Sequence, residues 1–285
     1  MIKQITREKL EVEKYTACLH RAVNYRIYAE SWYLDTVTNQ QWDCLVLNDY
    51  EAIMPIPYRK KMGIKFIAQP LYCQQLGVFH DLFFEQHLFD NFIHIIKRKL
   101  VHSYHFNEEN TTQFNPQGTK KINQIIPFPN RNGYSKMVKR NLSKFRQQAI
   151  QIIEHHDVES YIEFKKKYST HDLNETIFFK VLKSLQNENV LKIFKAVEND
   201  DISYAILIHS KNRWIYLDGA SSAVGKKMKA STGLMDFVIN DFNTQNNIFD
   251  FEGSSIPSIH QFYANFGSHD VYYTKYSNLP FFKSP

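Results

Sequence analysis

Apolar positions along this chain change period several times, and each change marks an element. Residues 11–21 carry Tyr15, Cys18 and Leu19 on one side of a predicted helix. A second helical stretch, 28–37, is rich in aromatics. From Trp42 the pattern becomes strand-like. The runs 42–47 and 51–56 are joined by Asn48-Asp49, a hairpin signal. Pro55 and Pro57 put the second run at an edge or a sheet end, because proline cannot donate to a ladder. Further strands are predicted at 65–68 and 71–79, and the latter contains Gln74 and Gln75 with one amide on each face. Residues 83–100 form an amphipathic helix with Leu88, Phe92, Ile95, Ile96 and Leu100 on its apolar side. A strand at 101–107, a polar loop to Lys121 and a short strand around Ile125 complete the first half.

The stretch 127–133, Pro-Phe-Pro-Asn-Arg-Asn-Gly, is a connector, and a domain boundary is placed there. The second half opens with a helix over 135–148, capped by Ser135. A strand at 150–153 follows, then helices at 157–168 and from 174 to about 186. Strands at 190–197, 202–209 and 213–217 are separated by tight polar turns, so they form an antiparallel meander. A loop over 218–229 leads to a helix reaching about residue 244, with Leu234, Val238 and Phe242 on its apolar face. The strand 248–251 breaks at Gly253 into a Ser254-Ser255 turn. Pro257 suits the first turn of the next helix, where its missing N–H costs nothing. Gly267 is a left-handed cap, and a last strand spans 271–276. The whole is a mixed α/β (α+β) chain of two domains, 1–133 and 134–285.

Composition adds bounds. At 285 residues and 43% hydrophobic, with 22 Phe and 17 Tyr, the chain can build sizeable cores. Nine Gly and nine Pro argue against long disordered tracts. The first ten residues are too charged for a signal peptide, and no apolar run reaches the ~20 residues of a membrane helix. Three cysteines without a CxxC spacing fit a reducing compartment, and the expected location is the cytoplasm. Charge changes the picture most. Residues 110–153 contain eight Lys and Arg and no acid, whereas the net charge of the chain is +6. One segment therefore carries the basicity. Lys136, Lys139, Arg140 and Lys144 line the predicted helix 135–148, a single-sign surface that concentrates anions.

The second half, with its meander at 190–217, its Gly-containing loop and following helix, and Asp250-Phe-Glu-Gly-Ser before the helix bearing Tyr263, resembles the GNAT superfamily of acyl-CoA N-acyltransferases. The first half is a weaker version of the same order. Two such halves joined near a basic helix resemble the Fem-type aminoacyltransferases. Fem-type chains often carry Phe-Lys before Phe-Gly in the last helix. Here that place reads Phe262-Tyr263, with Phe266-Gly267 after it.

The resemblance implies two GNAT-like domains, each a mostly antiparallel mixed sheet flanked by helices. It implies transfer of an acyl or aminoacyl group from acyl-CoA or acyl-tRNA to a primary amine. The donor would lie where the fourth and fifth strands of the fold part, with its phosphates on free N–H groups at a helix start. The donor residues so implied are Asp218, Gly219, Ser221, Ser222, Gly225, Lys226, Lys227 and Lys229. Glu252 or Asp250 would take the amine proton, Tyr263 would act as acid, and backbone N–H groups near 217–219 would hold the carbonyl. The basic helix, with Lys136, Lys139, Arg140 and Lys144, would meet tRNA or another anion, and Gln74 and Gln75 would help bind the acceptor. No metal is implied.

Plainer readings stand beside these. Strand-end carboxylates are commonly just solvated, the lysines after Gly225 can be a wet helix start, and tyrosine packs normally on a short helix. A non-catalytic GNAT-shaped module binding RNA or another anionic ligand is the main alternative. A hydrolase built on Ser221, Asp250 and His260 or His269 fails on context, because the strands before Ser221 form a meander and not a parallel sheet. His102 and His105 lie at odd spacing on a strand and point to opposite faces, which disfavours a shared metal.

Overall fold

The computed structural model describes residues 1–129, 133–168, 174–241 and 247–279. In chain order the elements are β1 (Ile2–Thr6), α1 (Val12–Arg21), α2 (Ser31–Thr38), β2 (Trp42–Leu47), β3 (Ala52–Lys61), β4 (Ile64–Ala68), α3 (Gln86–Lys97), β5 (Val101–Phe106), α4 (Glu108–Phe114) and β6 (Thr119–Pro127). There follow α5 (Lys136–Arg146), β7 (Gln151–His155), α6 (Val158–Tyr168), α7 (Glu175–Asn187), β8 (Leu191–Glu198), β9 (Asp200–Ser210), β10 (Arg213–Ser221), α8 (Ala223–Met228), α9 (Ala230–Asp241), β11 (Ile248–Asp250), α10 (Pro257–Ala264) and β12 (His269–Tyr276). Packing divides the chain into two compact units, Met1–Lys121 with the stretch from Tyr272 onward, and Ile122–Val271.

In the first unit the strand order is β1-β2-β3-β4-β5-β12. Only β4 and β5 run parallel among the named pairs there. β3 changes partner along its length: residues 52–57 pair with β2, and 58–61 pair with β4. Pro55 and Pro57 fall in the half paired to β2, where a missing donor is tolerated on the opposite side. Trp42, Tyr104, Phe79, Phe89, Phe92 and Phe106 are fully buried. Their polar atoms find partners: Trp42 Nε1 donates to Asp35 Oδ1 at 2.8 Å, and Tyr104 Oη to the Pro55 carbonyl at 3.0 Å.

The second unit has the order β6-β11-β10-β9-β8-β7, with β10 and β11 parallel and the other pairs antiparallel. Ser135 Oγ accepts from the Val138 N–H at 3.3 Å and starts α5. Val138 and Leu142 turn inward, toward a core that includes Leu207, Leu234, Val238, Phe249 and Phe251. Gly233 of α9 lies under the Phe145 ring, and a Cβ there would meet that ring at 2.4 Å. This lets α5 and α9 pack closely.

Several sequence expectations change. The run 71–79 is not a strand. It makes isolated bridges only, at Leu76 to Phe106 and Phe79 to Ile53. The polar loop after β5 contains α4, whose cap is the Asn107 side chain accepting from the Asn110 N–H at 2.9 Å. The charged N-terminus forms β1, paired to β2. The loop expected over 218–229 is the end of β10 followed by α8, because residues 218–221 continue pairing with β9. Residues 130–132 of the expected connector, and Phe242 of the expected apolar face on α9, lie outside the described residues.

Candidate active site

Two neighbouring strands start together and then separate. β10 and β11 pair in parallel at Arg213↔Ile248, Trp214↔Phe249 and Ile215↔Asp250, and the pairing stops there. β10 continues to Ser221 along β9, with a register shift between Tyr216 and Asp218 that leaves Leu217 as the extra residue. A bulge of this kind sharpens the local twist and re-aims side chains. The chain after Asp250 leaves the sheet at once. Glu252 and Gly253 both take left-handed conformations, with φ of 55° and 59°. For glutamate this is an uncommon backbone state, costing of order 1 kcal/mol, and it is held by a specific contact. Asp250 Oδ1 accepts from the Glu252 N–H at 2.8 Å. Gly253 lies so close to the β6 backbone that a Cβ would meet Asn123 Cα at 2.7 Å.

Beside the separation opens a cleft of about 410 Å³. Its walls come from five elements, β9, β10, α8, α9 and α10, with Tyr204 and Ala205 supplied by β9. β10 contributes Tyr216, Gly219, Ala220 and Ser221; α9 contributes Ser231, Leu234 and Met235; α10 contributes Ser258, Ile259, Phe262 and Tyr263. Lys226 of α8 also lines it. Gly219 is tightly placed, since a Cβ would sit 2.9 Å from the Tyr204 carbonyl oxygen and 1.9 Å from Tyr216 Oη. Tyr263 stacks on Phe251 with ring centroids 4.5 Å apart, and Tyr216 meets it edge-on at 6.2 Å. Burial, then the negative charges of Glu252 and Asp218, push the Tyr263 hydroxyl well above its ordinary pKa. Burial does the same to Tyr216. Both phenols stay protonated at neutral pH and can offer an O–H.

The residues singled out from sequence separate into groups. Gly219, Ser221, Lys226 and Tyr263 line the cleft. Glu252 is half-buried and close enough to act on the Tyr263 hydroxyl by its charge, but it is not part of the cleft lining. Asp250 is buried and ion-paired, with Arg213 Nη1 2.5 Å from its Oδ2. Asp218 turns to the opposite face of β10, where it accepts from Tyr161 Oη at 2.6 Å and pairs with the buried Lys165. Ser222 is the cap of α8, its Oγ accepting from the Gly225 N–H at 3.1 Å. Gly225 abuts the Ile202 carbonyl, which a Cβ would approach to 2.1 Å. Lys227 is exposed, and Lys229 is the left-handed joint between α8 and α9, with φ of 64°.

On α5, Lys136, Lys139, Arg140 and Lys144 are exposed, and among the described residues the helix's one ion pair is Arg146 with Asp236 at 3.4 Å. In the first unit Gln75 is buried and joined to Glu108, donating to its Oε1 at 3.2 Å and accepting from its N–H at 3.1 Å. Gln74 accepts from Gln75 Nε2 at 2.8 Å.

Sequence reading passed over Tyr216, Ser231, Ser258 and Phe262. A signal was present for most of them. Positions 258, 259, 262 and 263 form one face of α10, and 231, 234 and 235 one face of α9. Tyr216 carried none, because the bulge after it breaks strand alternation. Among the described residues no group of three or more His, Cys, Asp or Glu is placed to hold a metal, and no helix is long and apolar enough to cross a membrane.

Comparison with solved structures finds chains of similar fold. FemX covers 97% of its own chain and 96% of this one at a TM-score of 0.67 and 9% identity. A tandem GNAT protein from the clavulanic acid biosynthesis pathway matches 98% of this chain and 99% of its own at a TM-score of 0.52 and 8% identity. This chain has a tandem GNAT, Fem-like fold. A GNAT-family acetyltransferase from Colwellia psychrerythraea aligns over 97% of this chain and all of its own, with a TM-score of 0.57 and 10% identity. No family model matches the sequence, and no curated protein matches it either. At such identities the tandem GNAT likeness is one of fold, and the chemistry has to be argued from the cleft itself.

Proposed function

We propose that this protein is an N-acyltransferase, moving an acyl or aminoacyl group from acyl-CoA or acyl-tRNA to a primary amine, with its site in the half comprising 134–285. The observation that carries the reading is the parting of β10 from β11 beyond Ile215 and Asp250, with a cleft beside it. An extended donor arm can hydrogen-bond the unpaired edge of β10 there, as a strand would. Ser231 and Lys226 also line the cleft, and supply a hydroxyl and a cation for the donor's anionic end.

In the reaction the amine nitrogen attacks the donor carbonyl, the new N–C bond forms, and the bond to the leaving sulfur or ribose oxygen breaks. Glu252 accepts the amine proton, through a water given its place outside the lining. Backbone N–H groups around the Leu217 bulge hold the carbonyl oxygen. Tyr263, kept neutral by its surroundings, donates a hydrogen bond to the leaving atom. Asp250 acts through Glu252: one of its oxygens fixes the Glu252 N–H and the other holds Arg213.

The test is direct. Purified protein is offered acyl-CoAs and aminoacyl-tRNA with a panel of amines, and release of thiol or deacylated tRNA is followed. Glu252→Gln is expected to lower turnover by about 10²–10⁴-fold, the usual worth of a positioned general base. Its melting temperature should be unchanged. Full activity in Glu252→Gln removes that residue from the mechanism.

A second reading has its own support. Lys136, Lys139, Arg140 and Lys144 of α5 are exposed and have no acidic partner among the described residues. As a binding surface for tRNA or another polyanion, they would act whether or not the cleft is catalytic.

A further inference from the structure

The hairpin joining β3 to β4 breaks three local rules at one place. Its two-residue turn, Met62-Gly63, has positive φ at both positions, 51° and 79°, with Lys61 paired to Ile64 across it. Such turns favour Asn, Asp or Gly at the first position, and a methionine there holds an unfavourable backbone state. Met62 is nonetheless 93% exposed, and Ile64 57%. Across the ladder Lys60 lies directly opposite Lys65, a like-charge pair that opposes pairing. Finally, Arg59, Lys60, Lys61 and Lys65 crowd a stretch with no acidic residue between Glu51 and Asp81. Asp43, from β2, answers Lys65 at 2.5 Å, whereas Arg59 and Lys60 have no acidic partner among the described residues. Local preferences broken together at one place are where functional sites are found.

Behind the tip lies a recess of about 180 Å³ whose walls include Tyr58, Lys65, Phe66 and Lys99. Lys99 Nζ donates to the neutral Gln4 Oε1 at 2.6 Å. Burial and the neighbouring Lys65 both hold its pKa down, a situation that an anion would relieve.

We infer that this hairpin is a peripheral contact with an anionic lipid bilayer. Met62 and Ile64 enter the interfacial zone, Arg59, Lys60 and Lys61 lie among headgroup phosphates, and the recess between Lys65 and Lys99 seats one phosphate. Basic residues around exposed apolar side chains fit a negatively charged leaflet. A nucleic acid would satisfy the lysines but leave Met62 and Ile64 in water, so the apolar tip decides between the two partners. The inference concerns the first unit alone and does not depend on the acyltransferase reading.

The full chain is sedimented with vesicles of phosphatidylcholine alone, and of phosphatidylcholine mixed with phosphatidylglycerol, at low and high salt. It is expected to sediment with the mixed vesicles and to be released by salt. Lys60→Gln with Lys61→Gln should weaken partition about fivefold per lysine. Met62→Asn suits the turn, so it should keep or raise the melting temperature while also weakening partition. The inference is overturned if the chain fails to sediment with phosphatidylglycerol vesicles at low salt. It is equally overturned if both variants bind them as the parent does. Retention of tRNA that depends on Lys60 and Lys61 but not on Met62, without vesicle binding, would assign the hairpin to nucleic acid instead.

Discussion

Asp250 and Glu252 are two residues apart, yet their surroundings give them different work. Asp250 lies in a buried pair with Arg213, and removing one member of such a pair leaves the other charge uncompensated. Asp250→Ala is therefore expected to cost about 3–5 kcal/mol in denaturant unfolding. A loss below about 1 kcal/mol would mean the pair is not sequestered. Another single residue sets a pH response. Burial lowers the His105 imidazole to about 4 from its ordinary 6.5, and its Nδ1 sits 2.9 Å from the Gln74 carbonyl. The unfolded chain then binds the proton more readily than the native one. The contribution is complete above pH 6.5 and is lost as pH falls toward 4, by about 3 kcal/mol in total. Unfolding measured across this window should show that slope, and His105→Gln should flatten it.

At the scale of elements, the cleft depends on where β10 ends and α8 begins. Ser222 N–H donates to the Ile202 carbonyl at 3.0 Å, and Gly225 packs on the same carbonyl. Because that neighbour is backbone, it cannot rotate away. Gly225→Ala should lower stability by about 1–3 kcal/mol, the usual cost of overpacking, despite the better helix propensity of alanine. Thermal or urea unfolding checks this, and a neutral result would mean that α8 moves away from the Ile202 carbonyl at no cost. Much of this level was legible in sequence. The first two strands of the meander, the basic helix with its Ser135 cap and the Pro257 helix all stand close to their expected limits. What escaped was α4, whose run Glu-Glu-Asn-Thr-Thr-Gln-Phe has no apolar stripe, and β1, whose charges hid a strand recruited by β2.

Across the whole molecule, charge is unevenly placed. The acid-free segment 110–153 holds eight basic residues, and five of them stand exposed on α5. Neutralising Lys139, Arg140 and Lys144 to Gln should leave stability within about 0.5 kcal/mol, as surface changes generally do. The same change should weaken tRNA binding and flatten its dependence on salt, since fewer counterions are released. Binding that keeps its salt slope would move the anion site off this helix.

The sequence by itself determined most of the longer elements, the concentration of positive charge and the acidic strand end, because each is written in local periodicity, capping and composition. The tandem GNAT resemblance also came from element order together with the Gly-containing loop, Asp250-Phe-Glu-Gly-Ser and the basic helix. Only the tertiary structure decided which side chains meet. Periodicity places a residue on a face but not against a partner. Thus Asp250 found Arg213, Asp218 turned to Lys165 on the far face of β10, and Gln75 joined Glu108. Tyr216 came beside Tyr263 because a one-residue bulge and an interrupted strand pairing, both products of long-range contact, set the direction of every side chain beyond them.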